Sequence, residues 1–85
     1  MITVATYKAE LAEQLATIKA FIRRGVPVRI TPYIQDKAAQ ALAERHQYSV
    51  FPVVYCTNAD GDACHSWSGY DPDQINQAIE NRYHW

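Results

Sequence analysis

At residues 49–55 the sequence reads Ser49-Val50-Phe51-Pro52-Val53-Val54-Tyr55, so that a proline opens an apolar, β-branched run. Because proline cannot donate a hydrogen bond to a sheet, it marks the first residue of a strand or a bulge. The run after it is too short for a helix and rich in valine, which predicts a buried strand. The Phe51–Pro52 bond is a candidate cis bond, and an ordinary trans proline that starts a strand is the alternative. A cis bond would turn the Phe51 backbone outward, towards an extended partner.

Two patterns in the first third of the chain predict a strand and a helix. The β-branched residues at 2–6 favour a first strand. Cationic residues followed by Gly25 mark the end of a helix that we expect to begin near residue 9 and end at residue 24. Its inner face is predicted from apolar residues that recur at spacings of four, three and four: Leu11, Leu15, Ile18 and Ile22.

The middle of the chain predicts a second strand and a second helix. Residues 26–30 are the strand, and Pro27 inside them favours an edge position or a bulge. After a loop over residues 31–35, Asp36 is suited to be the N-cap of a helix over residues 37–46. The inner face of this helix is expected to comprise Ala39, Leu42 and Ala43.

The last third of the chain predicts a hairpin and a third helix. Turn residues at 58–62, with Gly61 suited to a left-handed position, precede a returning strand over residues 63–68. Asp71 and Pro72 suit the N-cap and the first position of a helix. The predicted order is β-α-β-α-β-β-α, with the first two strands parallel because a helix joins them. The apolar stripe of the last helix is Ile75, Ala78 and Ile79.

Composition narrows the functional classes. A chain of 85 residues predicts a single α/β domain over residues 1–85. A formal net charge of −1 offers no basic surface for nucleic acid or an anionic membrane, and no apolar run is long enough to span a bilayer. The N-terminus shows no secretion signal, so we expect a cytoplasmic domain whose two cysteines are thiols rather than a structural disulfide.

The order of elements, with a proline opening the third strand, resembles the thioredoxin fold in its minimal glutaredoxin form. Three segments are similar to NrdH redoxins, which are glutaredoxin-like electron donors to ribonucleotide reductase. These segments are Met1-Ile2-Thr3-Val4, Pro52-Val53-Val54 and Trp67-Ser68-Gly69-Tyr70-Asp71-Pro72-Asp73. The resemblance covers nearly the whole chain. It implies a four-stranded mixed sheet and a cis bond before Pro52.

The chain departs from that family at the loop before the first helix. The family carries Cys-x-x-Cys there, whereas residues 6–14 of this chain contain no cysteine. Aligned from the N-terminus, Glu10 and Glu13 take the two cysteine positions; aligned backward from the helix, Leu11 and Gln14 take them. A carboxylate at the start of a helix keeps the negative charge of a thiolate but cannot exchange disulfides. Acidic residues are also common in a first helical turn, which is the simpler interpretation.

The two cysteines flank the predicted hairpin turn. A three-residue loop, 59–61, would pair Cys56 with Cys64 and permit a strained cross-strand disulfide. A two-residue loop would pair Thr57 with Cys64 and place the thiols on opposite faces. Cys56, Cys64 and His65 match no standard zinc spacing, so no metal site is predicted.

These observations lead to two functional hypotheses, besides the simpler possibility of a structural domain with no redox role. The first is a non-catalytic protein-binding module without a cofactor, related to redox or ribonucleotide-reduction proteins, with a partner such as thioredoxin reductase or ribonucleotide reductase. The second is a thiol-disulfide oxidoreductase that uses Cys56 and Cys64. For the first hypothesis, the binding groove is expected to comprise Phe51, Pro52, Trp67, Ser68, Gly69 and Tyr70. The alternative for Trp67 is that it packs under the last helix.

Overall fold

The structure is a computed structural model that describes residues 1–7 and 11–80. No helix in this part of the chain is long and apolar enough to cross a membrane. The strands are β1 (Ile2–Thr6), β2 (Val28–Pro32), β3 (Val53–Thr57) and β4 (Ala63–Ser68). The helices are α1 (Leu11–Arg23), α2 (Lys37–His46) and α3 (Pro72–Glu80), and a short 3₁₀ turn, Tyr33–Gln35, follows β2.

The four strands form one mixed sheet in the order β2-β1-β3-β4. β1 is parallel to β2 and antiparallel to β3, and β3 and β4 form an antiparallel hairpin. This arrangement confirms the predicted α/β fold with its four-stranded mixed sheet. It also places the ends of β1 and β2 and the start of β3 at the same edge of the sheet.

Side-chain alternation along the central strands builds two apolar cores, one on each face of the sheet. On one face, Val54 of β3 packs with Phe21 of α1 and Ile75 of α3. On the other face, Val53 packs with Ala39 of α2. The sheet is therefore the middle layer, with α1 and α3 on one side and α2 on the other.

The second strand lies two residues later than the sequence predicted. Gly25, with a φ of 69°, ends α1, and the Val26 N–H donates to the Phe21 carbonyl at 3.0 Å. Because this N–H closes the end of the helix, Val26 cannot join the sheet, and Pro27 has no N–H to offer. The strand therefore begins at Val28.

The inner face of α1 also differs from the prediction. Gln14, Thr17 and Phe21 are buried, whereas Leu15 and Ile22 are exposed. The buried polar groups have partners: Thr17 Oγ1 donates to the backbone oxygen of the preceding turn, and Gln14 Oε1 accepts from a backbone N–H. Since both are satisfied, the helix can turn its large aromatic residue, rather than its aliphatic stripe, towards the core.

Helix α2 is held to the sheet by the carboxylate of Asp36, which is 7% exposed. It accepts hydrogen bonds from the Ala39 N–H at 3.1 Å, the Tyr55 hydroxyl at 2.8 Å and the Thr31 hydroxyl at 2.9 Å. Arg29 lies 3.9 Å away. Burial by itself would raise the pKa of Asp36, but these hydrogen bonds and the cation together lower that pKa. The predicted N-cap is confirmed, and it also joins β2 and β3 to α2.

We expect Asp36→Ala to lower the free energy of unfolding by about 2–4 kcal/mol at neutral pH, because the cap is lost and the buried Tyr55 hydroxyl loses its carboxylate acceptor. The control is Asp71→Ala, which removes the N-cap of α3 alone and should cost about 1 kcal/mol. Chemical denaturation measures both.

The effect of Asp36 should depend on pH. Because the folded-state pKa is lowered, the carboxylate stabilises the protein above the unfolded pKa of about 4 and loses this contribution as the pH falls through the folded value. The difference between wild type and Asp36→Ala should therefore shrink in acid. A difference that is constant from neutral to strongly acidic pH would contradict this assignment.

Candidate functional site

Pro52 lies fully buried at the edge where β3 begins, and the Phe51–Pro52 bond is cis. The Gly69 N–H donates to the Pro52 carbonyl at 2.8 Å, which ties the start of β3 to the end of β4. Gly69 has a φ of 78°, and a Cβ there would come within 3.0 Å of Val50 Cγ2. Both the backbone angle and the close neighbour therefore require glycine at this position.

Three aromatic rings meet beside Pro52. The Phe51 ring stacks on Tyr7 with centroids 5.0 Å apart, and it meets the Tyr33 ring edge-on at 4.8 Å. Tyr7 is 39% exposed, and the other two rings are half-buried. We call Tyr7, Tyr33 and Phe51 the aromatic corner.

Sequence reasoning identified Phe51 but missed Tyr7 and Tyr33. A signal for them was present, because Tyr7 follows the end of β1 and Tyr33 follows the end of β2. The carboxyl ends of parallel strands lie at the same edge of a sheet, and β3, which is antiparallel to β1, begins there. The topology therefore brings the three rings together.

The first turn of α1 faces the aromatic corner through Gln14. This side chain is buried, and its Oε1 accepts a hydrogen bond from the Tyr7 N–H. Glu13 is exposed on the same turn, and Glu10 lies outside the described residues. The start of α1 thus presents the buried side-chain amide of Gln14, hydrogen-bonded to the backbone, in the region where the resemblance implies a thiol pair.

Trp67 does not belong to the aromatic corner, and the prediction that it helps to form an exposed groove is wrong. It is 5% exposed and packs beside Phe21 and His65, with ring centroids 6.5 Å and 5.5 Å away. The physical reason is alternation along β4, which directs Trp67 to the face that α1 and α3 cover.

The rest of the predicted groove is divided. Ser68 is half-buried at the end of β4, and Gly69 contributes its backbone N–H beside Pro52. Tyr70 is 44% exposed and lines a cleft of about 210 Å³ between α1 and α3, together with Arg23 and Arg24. The structure therefore keeps Phe51, Pro52 and Gly69 together and directs Tyr70 to another surface.

The hairpin follows neither predicted register along its whole length. Asn58 bonds to Asp62 and Thr57 pairs with Ala63, as the three-residue loop requires, but a bulge follows and Cys56 pairs with His65. Cys64 is the additional residue of the bulge, so it has no partner directly across the hairpin. The register that would permit a disulfide is therefore wrong, and both thiols are free.

The two thiols have different surroundings. Cys56 is fully buried, and burial, followed by the neighbouring Cys64, raises the pKa of its thiol to about 12. Cys64 is exposed, with its Sγ 3.4 Å from the Cys56 carbonyl oxygen. His65 Nε2 lies 2.6 Å from Gln74 Oε1. Within residues 1–7 and 11–80, no three His, Cys, Asp or Glu side chains form a group that could hold a metal ion.

We expect a thiol reagent such as an aromatic disulfide to label Cys64 rapidly in the native protein and Cys56 only after unfolding. Access and thiolate fraction control the rate of this reaction, and Cys56 lacks both at neutral pH. Spectrophotometric titration should count one thiol in native wild type and none in native Cys64→Ser. Rapid labelling of two thiols in native wild type would contradict this expectation.

Trp67 is expected to stabilise the core through its volume rather than its polar atom. Its buried Nε1 has no hydrogen-bond partner within residues 1–7 and 11–80, so Trp67→Phe should cost about 1 kcal/mol or less, whereas Trp67→Ala should cost about 3–5 kcal/mol. Urea denaturation followed by circular dichroism measures both. Equal, large losses would show instead that the indole N–H is essential.

Comparison with known proteins agrees with this geometry. No protein-family model matches the sequence, and no curated protein shows significant similarity to it. Among solved structures, the chain is similar to NrdH-redoxin from Escherichia coli, with a TM-score of 0.67 and 26% sequence identity over 89% of this chain and 91% of that one. That protein is described as glutaredoxin-like, with a thioredoxin-like activity profile. The present chain therefore has the thioredoxin fold in its glutaredoxin-like form and resembles NrdH-redoxin over nearly its whole length.

Proposed function

We propose that this protein is a binding module that holds a segment of a partner protein at the aromatic corner, without dithiol exchange. One observation carries the proposal: three partly exposed rings in mutual contact lie beside Pro52, and the neighbouring turn of α1 presents Gln14 instead of a cysteine.

The aromatic corner has the properties of a binding surface. Aromatic rings supply a large apolar area at a small cost in side-chain entropy, and such residues dominate the affinity of many interfaces. The rings are also held in place before a partner arrives, because Tyr7 is bonded through its backbone to Gln14 and the Pro52 carbonyl accepts from Gly69. Surfaces that are ordered in advance lose less entropy on binding.

The positions of the thiols favour binding over exchange. Disulfide exchange requires an accessible thiolate, and residues 6–14 contain no cysteine. Cys56 is buried with a raised pKa, and Cys64 lies near the turn of the hairpin, at the end of β3 opposite to Pro52. Neither thiol reaches a segment bound at the aromatic corner.

The similarity to NrdH-redoxin indicates which partners to test first. We propose a redox enzyme of the cytoplasm, either thioredoxin reductase or ribonucleotide reductase, as the partner. The formal net charge of −1 gives no reason to add nucleic acid or a membrane surface to this list.

The experiment measures binding of the purified protein to each enzyme by calorimetry. Tyr7→Ala and Phe51→Ala should each weaken binding by about tenfold or more, because each removes one ring of the stack. Tyr70→Ala is the matched control, because it removes a similarly exposed ring on another surface and should leave the affinity unchanged. Circular dichroism verifies that each variant is folded.

Two results would contradict the proposal. The first is unchanged affinity in both corner variants. The second is turnover in a disulfide-reductase assay with NADPH and thioredoxin reductase that disappears in Cys64→Ser or Cys56→Ser, since a thiol would then perform the chemistry. Reductase activity at background in all three proteins agrees with a binding role.

A further inference from the structure

A groove of about 620 Å³ lies between α1 and β2. None of the described residues that line it is charged, and its aliphatic residues are Leu15, Ile18, Ile30 and Ile34. Leu15, Ile30 and Ile34 are 42%, 53% and 68% exposed. Single exposed aliphatic residues need no explanation, but several that line one groove mark a binding surface.

The groove is continuous with the aromatic corner. Tyr7 belongs to both, because its ring stacks on Phe51 and the residue also lines the groove. Tyr33 stands in the chain between Pro32 and Ile34, and both of these line the groove. A segment that is bound at the aromatic corner therefore lies next to the groove as well.

The outer rim of the groove, on α1, is cationic. Lys19 is exposed one turn after Leu15, and Arg23 is exposed one turn after Lys19. Neither cation forms an ion pair with another described residue. α1 has no acidic residue after Glu13, which stands two positions from Leu15 and so points to another side of the helix. A ligand that fills the groove and extends over α1 thus meets two available cations.

We propose that the groove receives an apolar side chain of the segment bound at the aromatic corner, and that an acidic residue next to it in that segment pairs with Lys19. This inference rests on the proposed binding role of the corner and adds the chemistry of the segment. The ligand class is a peptide in which a large aliphatic or aromatic residue neighbours an aspartate or a glutamate.

The lining and the rim select different parts of such a peptide. The groove favours an apolar residue, because burial of apolar surface is favourable and a charged side chain buried there would have no charged partner. The rim attracts an acid and repels a cation, as complementary charges at an interface do. Because an exposed ion pair contributes little affinity, the apolar residue should dominate the affinity and the acid should refine the choice of sequence.

The same charges make a second copy of this chain a poor occupant. A twofold interface through this side of α1 would bring the same surface of both copies together. Lys19 and Arg23 of each copy would then approach the equivalent cations of the other. An acidic segment meets attraction at the same positions.

The first test selects random peptides displayed on phage for binding to the full chain, so that no partner enzyme is assumed. The enriched sequences should share a large apolar residue beside an aspartate or a glutamate. Phe51→Ala, which changes the corner without touching the groove, and Ile30→Thr, which changes the groove alone, should each reduce this enrichment.

The second test measures the affinity of one enriched peptide by fluorescence anisotropy. Leu15→Gln and Ile30→Thr should each raise the dissociation constant by about fivefold or more. Lys19→Gln should raise it by about threefold and weaken its dependence on salt. The matched control is Lys37→Gln, which removes an exposed lysine on α2 and should leave the affinity unchanged.

The peptide itself supplies a further control. When its acidic residue is replaced by the corresponding amide, wild type and Lys19→Gln should bind it equally well. Circular dichroism verifies that each variant is folded.

The outcomes separate this inference from the proposed function. Peptides that depend on Phe51 but not on Leu15 or Ile30 overturn the inference and leave the role of the corner intact, and so does an enriched set without the apolar and acidic pair. Peptides that depend on Leu15 and Ile30 but not on Phe51 contradict the role of the corner instead. Failure to enrich any peptide contradicts both.

Discussion

β3 is buried on both faces, and this constraint determines how the helices pack on the sheet and how β3 pairs with its neighbours. Val54 and Cys56 point into the core beneath α1 and α3, and Val53 and Tyr55 point into the core beneath α2. A strand that must be apolar on both sides cannot slip by one residue without exchanging its two sets of side chains. Its register with β1 and β4 is therefore firmly set, and with it the position of Pro52 at the start of the strand.

The same constraint explains two polar features. The Tyr55 hydroxyl cannot reach water from the core, so Asp36 approaches from the start of α2 to accept its hydrogen bond. Asp36 therefore caps a helix and satisfies a buried hydroxyl with one carboxylate. Cys56 lies on the other face of β3, and its thiol stays neutral because the apolar core disfavours a thiolate.

Much of this architecture could be predicted from the sequence, because local chemistry determined it. Asp36 and Asp71 cap helices and Gly61 takes the left-handed position of the hairpin turn, which are tasks for which these residue types are suited. The order of elements then limited the topology to a mixed sheet, since parallel strands need a connecting helix and a tight turn makes an antiparallel pair. The resemblance to NrdH redoxins then indicated the glutaredoxin-like form of the fold, which the similarity to the solved NrdH-redoxin supports.

Other features could not be predicted, because they depend on contacts between distant residues. Two overlapping stripes run along α1, and periodicity alone favoured Leu15 and Ile22 over Phe21. Which side of α1 faces the core depends on the space beneath Trp67 and on whether Gln14 finds a hydrogen-bond partner. The spacing of residues along the helix indicates neither. The bulge at Cys64 is similar: turn chemistry left a three-residue and a two-residue loop open, and neither register includes the additional residue that the hairpin has at Cys64. The candidate site was predicted only in part for the same reason. Tyr7 and Tyr33 are far apart in sequence and meet only in the folded sheet.

The aromatic corner and the exposed side of α1 differ in how the fold produces them. The exposure of Leu15 and Ile22 follows from the rotation of one helix, because Phe21 occupies the core. The aromatic corner follows instead from topology, because any sheet with this strand order brings the residues after β1 and β2 next to the start of β3. The corner is therefore complete within a single copy of the chain.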